Sequence, residues 1–211
     1  MVERLLALSP ILVIASGNAG KVREFAHLLA ALPLEIRPQP EGLEVEETGS
    51  TFAENARLKA TAVALATDCW ALADDSGLAV DALGGAPGVH SARYAATDPE
   101  RIARLLRELA AARGPQRRAS FTAALAVADP SRAIVLEVEG HCPGLILEAP
   151  RGSGGFGYDP VFHVPELGLS FAEMDKATKG RIGHRGRAFA LLEPRLRQLL
   201  GAQASAQPSG A

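Results

Sequence analysis

A chain of 211 residues with 47% hydrophobic side chains has room for one large or two small domains around a substantial core. Its formal charge of −2 and isoelectric point near 6.2 exclude a protein that coats a polyanion, so no nucleic-acid partner is expected, while a small anion in a local basic pocket stays open. Cys69 and Cys142 form neither a C-x-x-C pair nor a disulfide framework, which makes a reducing cytoplasm the expected setting and both thiols small buried hydrophobes.

Residues 5–15 are apolar enough to pass for a short leader, but Glu3 offsets Arg4, Pro10 interrupts the run, and a loop with chemical potential follows at once. Neither a leader nor a membrane span is expected. Residues 11–14 read as a buried strand, and residues 21–32 carry Val22, Phe25, Leu28, Leu29 and Leu32 at helical spacing before Pro33 closes the helix. Between them lie Ala15, Ser16, Gly17, Asn18, Ala19, Gly20 and Lys21. Backbone N–H groups at a helix start and a lysine ammonium both favour anions, so this loop is a candidate phosphate cradle. It is not a standard P-loop, which needs Gly at 15 and Ser or Thr at 22, where the chain has Ala15 and Val22. The plain alternative is an ordinary Gly/Asn turn.

Glu44, Glu46 and Glu47 precede Thr48-Gly49-Ser50, and Thr51-x-x-Glu54 is a capping box that opens a helix of about four turns running to Ala66. A strand follows at residues 70–73, and Asp74-Asp75-Ser76-Gly77 is expected where that strand runs out. Carboxylates at strand ends and loop tips suit a hard divalent cation, since Mg²⁺ takes oxygen ligands and bridges protein carboxylates to phosphates. Side chains of an extended segment alternate faces, so one of Glu46 and Glu47, and one of Asp74 and Asp75, should face the same ion. A solvated loop for the glutamates and turn or capping chemistry for the aspartates are the alternatives.

Thr97-x-x-Glu100, with Pro99 in the first turn, opens a helix through Leu109 that Gly114 stops. Two β-rich runs, 119–128 and 132–140, flank Asp129-Pro130-Ser131 and read as a hairpin, so the sheet is mixed rather than purely parallel. Residues 152–160 contain G-x-G-x-x-G at Gly152, Gly154 and Gly157, yet residues 158–164 read as turn and strand, so the dinucleotide-binding reading fails on context. A glycine loop carrying Phe156 and Tyr158 instead suits a flat ligand, with a bulge or hairpin as the alternative. Helical character returns at residues 170–178 and 187–200, where Pro194 should kink or divide the last element. Between them Lys176, Lys179, Arg181, His184, Arg185 and Arg187, interrupted by Gly180, Gly183 and Gly186, read as a loop contacting an anion or a base. One domain over residues 1–200 and a disordered tail over 201–211 complete the expectation.

Jointly these segments resemble the inosine triphosphate pyrophosphatase family. The motifs are Ser16-Gly-Asn-Ala-Gly-Lys21, Glu46-Glu-Thr-Gly49 leading into Thr51-Phe-Ala-Glu-Asn-Ala56 and Lys59-Ala60, Ala73-Asp-Asp-Ser-Gly-Leu78, Leu83-Gly-Gly-Ala-Pro-Gly88, Ser91-Ala-Arg-Tyr94, Gly154-Gly-Phe-Gly-Tyr-Asp-Pro160 and His184-Arg-Gly186. They stand in family order over nearly the whole chain, with Gly180 and Gly183 at places where similar sequences carry bulkier or polar residues. The resemblance implies an elongated α/β fold, a mixed β-sheet flanked by helices, with two lobes and a central active-site cleft, and a homodimer. It also implies Mg²⁺-dependent hydrolysis of ITP, dITP and XTP to the nucleoside monophosphate and pyrophosphate, keeping them out of DNA and RNA. By motif position, Ser16, Gly17, Asn18, Ala19, Gly20 and Lys21 would hold the triphosphate. Asp75 would be the general base, and Glu46 or Glu47 would hold the metal with it. Ser76 would touch substrate, Lys59 could reach a phosphate, and Phe156, Gly157, Tyr158, Asp159, Lys179, His184 and Arg185 would enclose the nucleoside. A Maf-like pyrophosphatase would not be expected to combine the glycine-aromatic and His-Arg-Gly motifs. A nucleotide-sensing module without turnover would gain nothing from carboxylates beside a triphosphate unless a metal intervened.

Overall fold

The computed structural model describes residues 10–206, with side chains to 201. Residues 5–9 of the apolar start weighed above as a leader therefore lie outside the described residues, as do residues 207–211. Strand β1, Ile11–Ala15, is a buried apolar run. Helix α1, Ala19–Leu29, starts two residues earlier than its apolar spacing implies, because Asn18 caps it by accepting from the N–H groups of Gly20 and Lys21. A four-residue strand, β2 at Glu35–Pro38, then follows. It is too short and too exposed to carry an alternating pattern, and the sequence reading does not contain it. Helix α2, Phe52–Thr67, opens with the expected capping box between Thr51 and Glu54.

Strand β3, Trp70–Val80, corrects the sequence reading at its most consequential point. The strand does not run out at Asp74 but continues for six residues past it, because each of these residues stays paired with β4, Arg118–Ala128. What ends there is β1, whose last register partner on β3 is Ala73, opposite Ala15. The aspartates are thus mid-strand residues on a stretch whose β1 side has just been vacated.

Helix α3, Asp98–Glu108, carries the expected Thr97–Glu100 capping box. Strand β5, Ile134–Ile146, pairs antiparallel with β4 and runs six residues past the expected end of the hairpin. Strands β6, Phe162–Val164, and β7, Leu169–Ser170, extend the sheet to seven strands in the order β2-β1-β3-β4-β5-β6-β7. Pairing of β1 with β2 and β3 is parallel and the rest antiparallel, so the mixed α/β sheet is borne out. Helix α4, Lys176–Ile182, and helix α5, His184–Ala206, close the chain. Pro194 does not divide α5, and the helix continues through residues 201–206, where the sequence suggested a disordered tail.

Alternation along β3 sorts the core. Ala71 and Ala73 pack with Ala56, Ala60 and Val63 of α2 on one face. Leu72 packs on the other face with Phe25 of α1 and Leu192 of α5. Beyond Gly77, Leu78 and Val80 join a separate cluster with Phe121, Phe162 and Phe171. Each fully buried Leu or Phe contributes about 1.5–3 kcal/mol. Residues 74–77 lie between these apolar masses, with a helix on either face.

Candidate active site

Because Asp74 follows the face of Leu72 and Asp75 the face of Ala73, the two carboxylates meet different helices. Asp74 is buried, and its Oδ2 lies 2.9 Å from Lys21 Nζ of α1 and 3.2 Å from Arg185 Nε of α5. Ser76, next on the same face, donates to Asp74 Oδ2 and accepts from Arg185 Nη2 at 2.6 Å. Against the desolvation that would raise it, Lys21 and Arg185 hold the Asp74 carboxyl far below the usual carboxylate range. Burial in turn lowers the Lys21 ammonium. Glu24, one turn along α1, approaches Arg185 from the far side at 3.4 Å.

Asp75 faces α2. Its Oδ1 accepts from Lys59 Nζ at 2.7 Å, and the same ammonium donates to Glu47 Oε1 at 2.9 Å. Burial pushes the Asp75 carboxyl up despite Lys59, which suits a proton acceptor better than an ordinary aspartate. Glu47 is half-buried and also pairs with Arg93, whereas Glu46 is exposed. The main-chain oxygen of Asp74, left without a β1 partner, accepts from Lys59 at 3.0 Å and Lys21 at 3.5 Å, so lysines from the two faces meet at one carbonyl.

A cavity of about 400 Å³ opens beside Lys21, Ser76, Phe156, His184 and Arg185. At one end Ser16 accepts from Asn18 N, and Asn18 takes the N–H groups of Gly20 and Lys21. The loop side chains thereby hold the cradle together and occupy three of the donors an anion would use; Gly17, Asn18 and Ala19 are exposed. At the other end Phe156 is 39% exposed, with Lys179 Nζ at 5.2 Å and Arg185 at 5.5 Å from its ring centroid. Gly157 donates to Asp98 of α3 at 2.7 Å, and Tyr158 is buried with its hydroxyl donating to Ser91 O. Asp159 accepts from Phe156 N at 2.8 Å and pairs with Lys179. Its carboxylate folds the glycine loop and is already engaged.

The basic segment is not the loop the sequence suggests. Asp175 caps α4, and α5 begins immediately after Gly183. Two of the glycines are required by close backbone contacts: a Cβ on Gly186 would come within 1.7 Å of Gly180 O, between α5 and α4, and one on Gly183 within 2.6 Å of Lys179 O, at the end of α4 itself. Lys176 and Arg181 are exposed, and Arg187 donates to Ile182 O and His141 O, leaving His184 and Arg185 to line the cavity and Lys179 beside it, on Asp159 and near the Phe156 ring.

His184 stacks on Phe121 at 4.7 Å and is buried with Nδ1 unpartnered. Burial, reinforced by Arg185, lowers its pKa well below the usual value, so it stands neutral at pH 7. The unfolded chain therefore takes up a proton below about pH 6.5 that the folded chain refuses, and stability falls as pH drops, by up to about 1.4 kcal/mol per unit for one such group. Each kcal/mol is worth about 2–4 °C in a chain of this size. We predict that the melting temperature falls more steeply from pH 7 to pH 5 in the wild type than in His184→Phe, which keeps the stack. Parallel slopes for the two would show that His184 is not held neutral.

Asn55, Ser91, Asp98 and Arg101 adjoin these groups and are absent from the sequence reading of the site. Asn55 had a legible signal, lying one turn before Lys59 on a helix whose inward face is otherwise apolar. Asp98 had none, since it reads as an ordinary acidic residue in a first helical turn.

Among the described residues no group of three or more His, Cys, Asp or Glu side chains is arranged to hold a metal ion unaided. Glu47 and Asp75 nevertheless fit one, since two hard oxygens already converge on a single cation, the Lys59 ammonium. No described helix is long and apolar enough to cross a membrane.

A model of the Ham1 family matches residues 12–195. A dITP/XTP pyrophosphatase of Parasynechococcus marenigrum is 64% identical over 192 residues, 91% of this chain and 97% of the relative. One of Synechococcus sp. strain CC9311 is 61% identical over 94% of this chain and 97% of its own length. The structure of a HAM1 protein from Coxiella burnetii superposes with a TM-score of 0.83 at 44% identity, covering 90% of this chain and 99% of that one. A nucleoside-triphosphatase/dITP/XTP pyrophosphatase from Mycobacterium abscessus gives 0.71 at 38% identity, over 87% and 99%. The resemblance read from the motifs is borne out.

Proposed function

The chain belongs to the Ham1 family, and on that footing we propose that it hydrolyses dITP, XTP and ITP to the nucleoside monophosphate and pyrophosphate, keeping these nucleotides out of DNA and RNA. The observation that carries this reading is the placement of Asp74 and Asp75 on opposite faces of β3, one against Lys21 and Arg185, the other converging with Glu47 on Lys59. The triphosphate lies along Ser16 to Lys21, with Lys21 and Lys59 neutralising charge. Asp75 orients and deprotonates the water that attacks the α-phosphorus, where positioning and charge neutralisation supply most of the rate. Phe156 offers a ring for stacking. Lys179, His184 and Arg185 face the base, and Arg185 donates to a 6-oxo group that adenine lacks.

Each cation of the site already has a carboxylate: Lys21 has Asp74, Lys59 has Asp75 and Glu47, Arg185 has Asp74 and Glu24, and Lys179 has Asp159. A triphosphate entering alone would leave several negative charges uncompensated, so it enters with a divalent cation. We assign this cation as Mg²⁺, which Glu47 and Asp75 would hold and which when bound neutralises phosphate charge and acidifies water. A cytoplasmic homodimer acting on free nucleotides, without nucleic-acid or membrane partners, completes the reading.

The test is hydrolysis of ITP, XTP, dITP, GTP and ATP in ¹⁸O-labelled water with phosphorus NMR of the products. Label in the monophosphate, with intact pyrophosphate released, is the expected result. Orthophosphate and nucleoside diphosphate as first products would replace this reading with a γ-phosphatase, and binding without turnover would replace it with a sensing module.

A further inference from the structure

Asn55 is fully buried in the first turns of α2, where an asparagine needs partners for both ends of its amide. Its Oδ1 accepts from Gly49 N at 2.8 Å. A backbone N–H is only a donor, so the oxygen must face Gly49 and the amide nitrogen must face the other way, toward Asp75 Oδ2 at 3.3 Å. The amide orientation follows from the network. The close fit leaves little room for another arrangement, since a Cβ on Gly49 would meet Asn55 Oδ1 at 2.7 Å and Glu54 Cβ at 2.6 Å.

We propose that Asn55 is a positioning residue for Asp75, fixing the plane of its carboxylate and tying it to the segment that carries Glu47. Asn55 holds Oδ2 from one side and Lys59 holds Oδ1 from the other, so rotation of the carboxylate breaks one bond or both. Through Gly49 the same amide anchors the chain two residues after Glu47, fixing the spacing of the two carboxylates that share Lys59. No phosphate or base contact is required of Asn55, which is fully buried and does not line the cavity. The inference rests on the reading of Asp75 as proton acceptor.

Asn55→Asp tests it, because the new oxygen still accepts from Gly49 while the donor toward Asp75 becomes a second carboxylate oxygen. The expected result is a kcat loss of more than about tenfold with KM for ITP within about threefold, because the phosphate and base contacts are untouched. A readout independent of turnover comes from melting in metal-free buffer. Asn55→Asp lowers the melting temperature by opposing two carboxylates, and the double variant Asn55→Asp/Asp75→Asn recovers most of that loss by restoring one donor and one acceptor. Asn55→Leu, which removes the donor without adding charge, carries the same kcat and KM expectation should the acidic variant not fold. A kcat within tenfold of wild type, a KM rising in step with the kcat loss, or a double variant no more stable than Asn55→Asp would each overturn the assignment. Asp75→Asn alone separates the two readings. If it keeps its rate, the role of Asp75 has failed; if it loses its rate while Asn55→Asp does not, only the role of Asn55 has.

Discussion

Asp75→Asn is expected to lower kcat by about two orders of magnitude or more while leaving the fold and nucleotide affinity in place. The amide keeps the carboxylate's shape, but its single oxygen can accept from Lys59 or from Asn55 Nδ2 and not from both, and it loses the charge that holds a metal and takes a proton from water. The donor left without a partner costs stability, and burial works in the opposite direction, so the net change should be small. The native environment raises the Asp75 carboxyl, so the charged form costs the folded protein stability at neutral pH, and removing the charge removes that cost. Steady-state rates, a thermal melt and titration with a non-hydrolysable nucleotide form one test. A variant retaining more than about a tenth of the wild-type rate, less than about 1.4 kcal/mol of barrier, would show that Asp75 is not the base.

The second large effect separates recognition of the base from recognition of the phosphates. Lys21 and Arg185 share Asp74 Oδ2, yet they leave it in different directions, Lys21 from the start of α1 and Arg185 toward Ser76 and the face of Phe156. Every NTP carries the same phosphates, so Lys21→Ala should depress kcat/KM for ITP and ATP by similar factors. Arg185→Ala should depress ITP by about tenfold to a hundredfold and ATP far less, because mispairing a buried polar group costs about 1–3 kcal/mol and the wild type already bears that cost with adenine. Kinetics of both variants on both nucleotides decide the point. Equal losses for Arg185→Ala would assign that arginine to the phosphates.

What the sequence made legible and what it hid divide along a physical line. Capping boxes at Thr51 and Thr97, the continuous apolar run of β1, the helical spacing of α3 and the hairpin at residues 129–131 are local, and the structure reproduces them. The short edge strand β2 and the continuation of β3 through two aspartates are products of strand pairing. A run of Asp-Asp-Ser-Gly has poor intrinsic strand character, and only ten residue pairs with β4 keep it extended. The same holds for the glycines after Lys176. Their spacing suggested a ligand loop, while the use of Gly186, a close approach of α5 to the Gly180 carbonyl of α4, depends on a crossing that no local signal encodes. The candidate site was legible as residue types in order. That Asp74 and Asp75 serve opposite faces followed from alternation, but that Lys59 bridges Glu47 and Asp75 required the fold.

The difference in length between β1, five residues, and β3, eleven, has a bearing on how this scaffold tolerates change. Opposite Asp74, the residue after Ala15 turns away, and the vacated carbonyl becomes a junction for ammonium groups arriving from above and below the sheet. Insertion of two strand-forming residues after Ala15 would carry β1 past this junction, give the carbonyl an ordinary ladder partner and wall off one helix layer from the other. Such a chain would gain hydrogen bonds and lose its cleft. The length of β1 is in that sense a dimension under functional constraint, even though none of its five side chains lines the cavity.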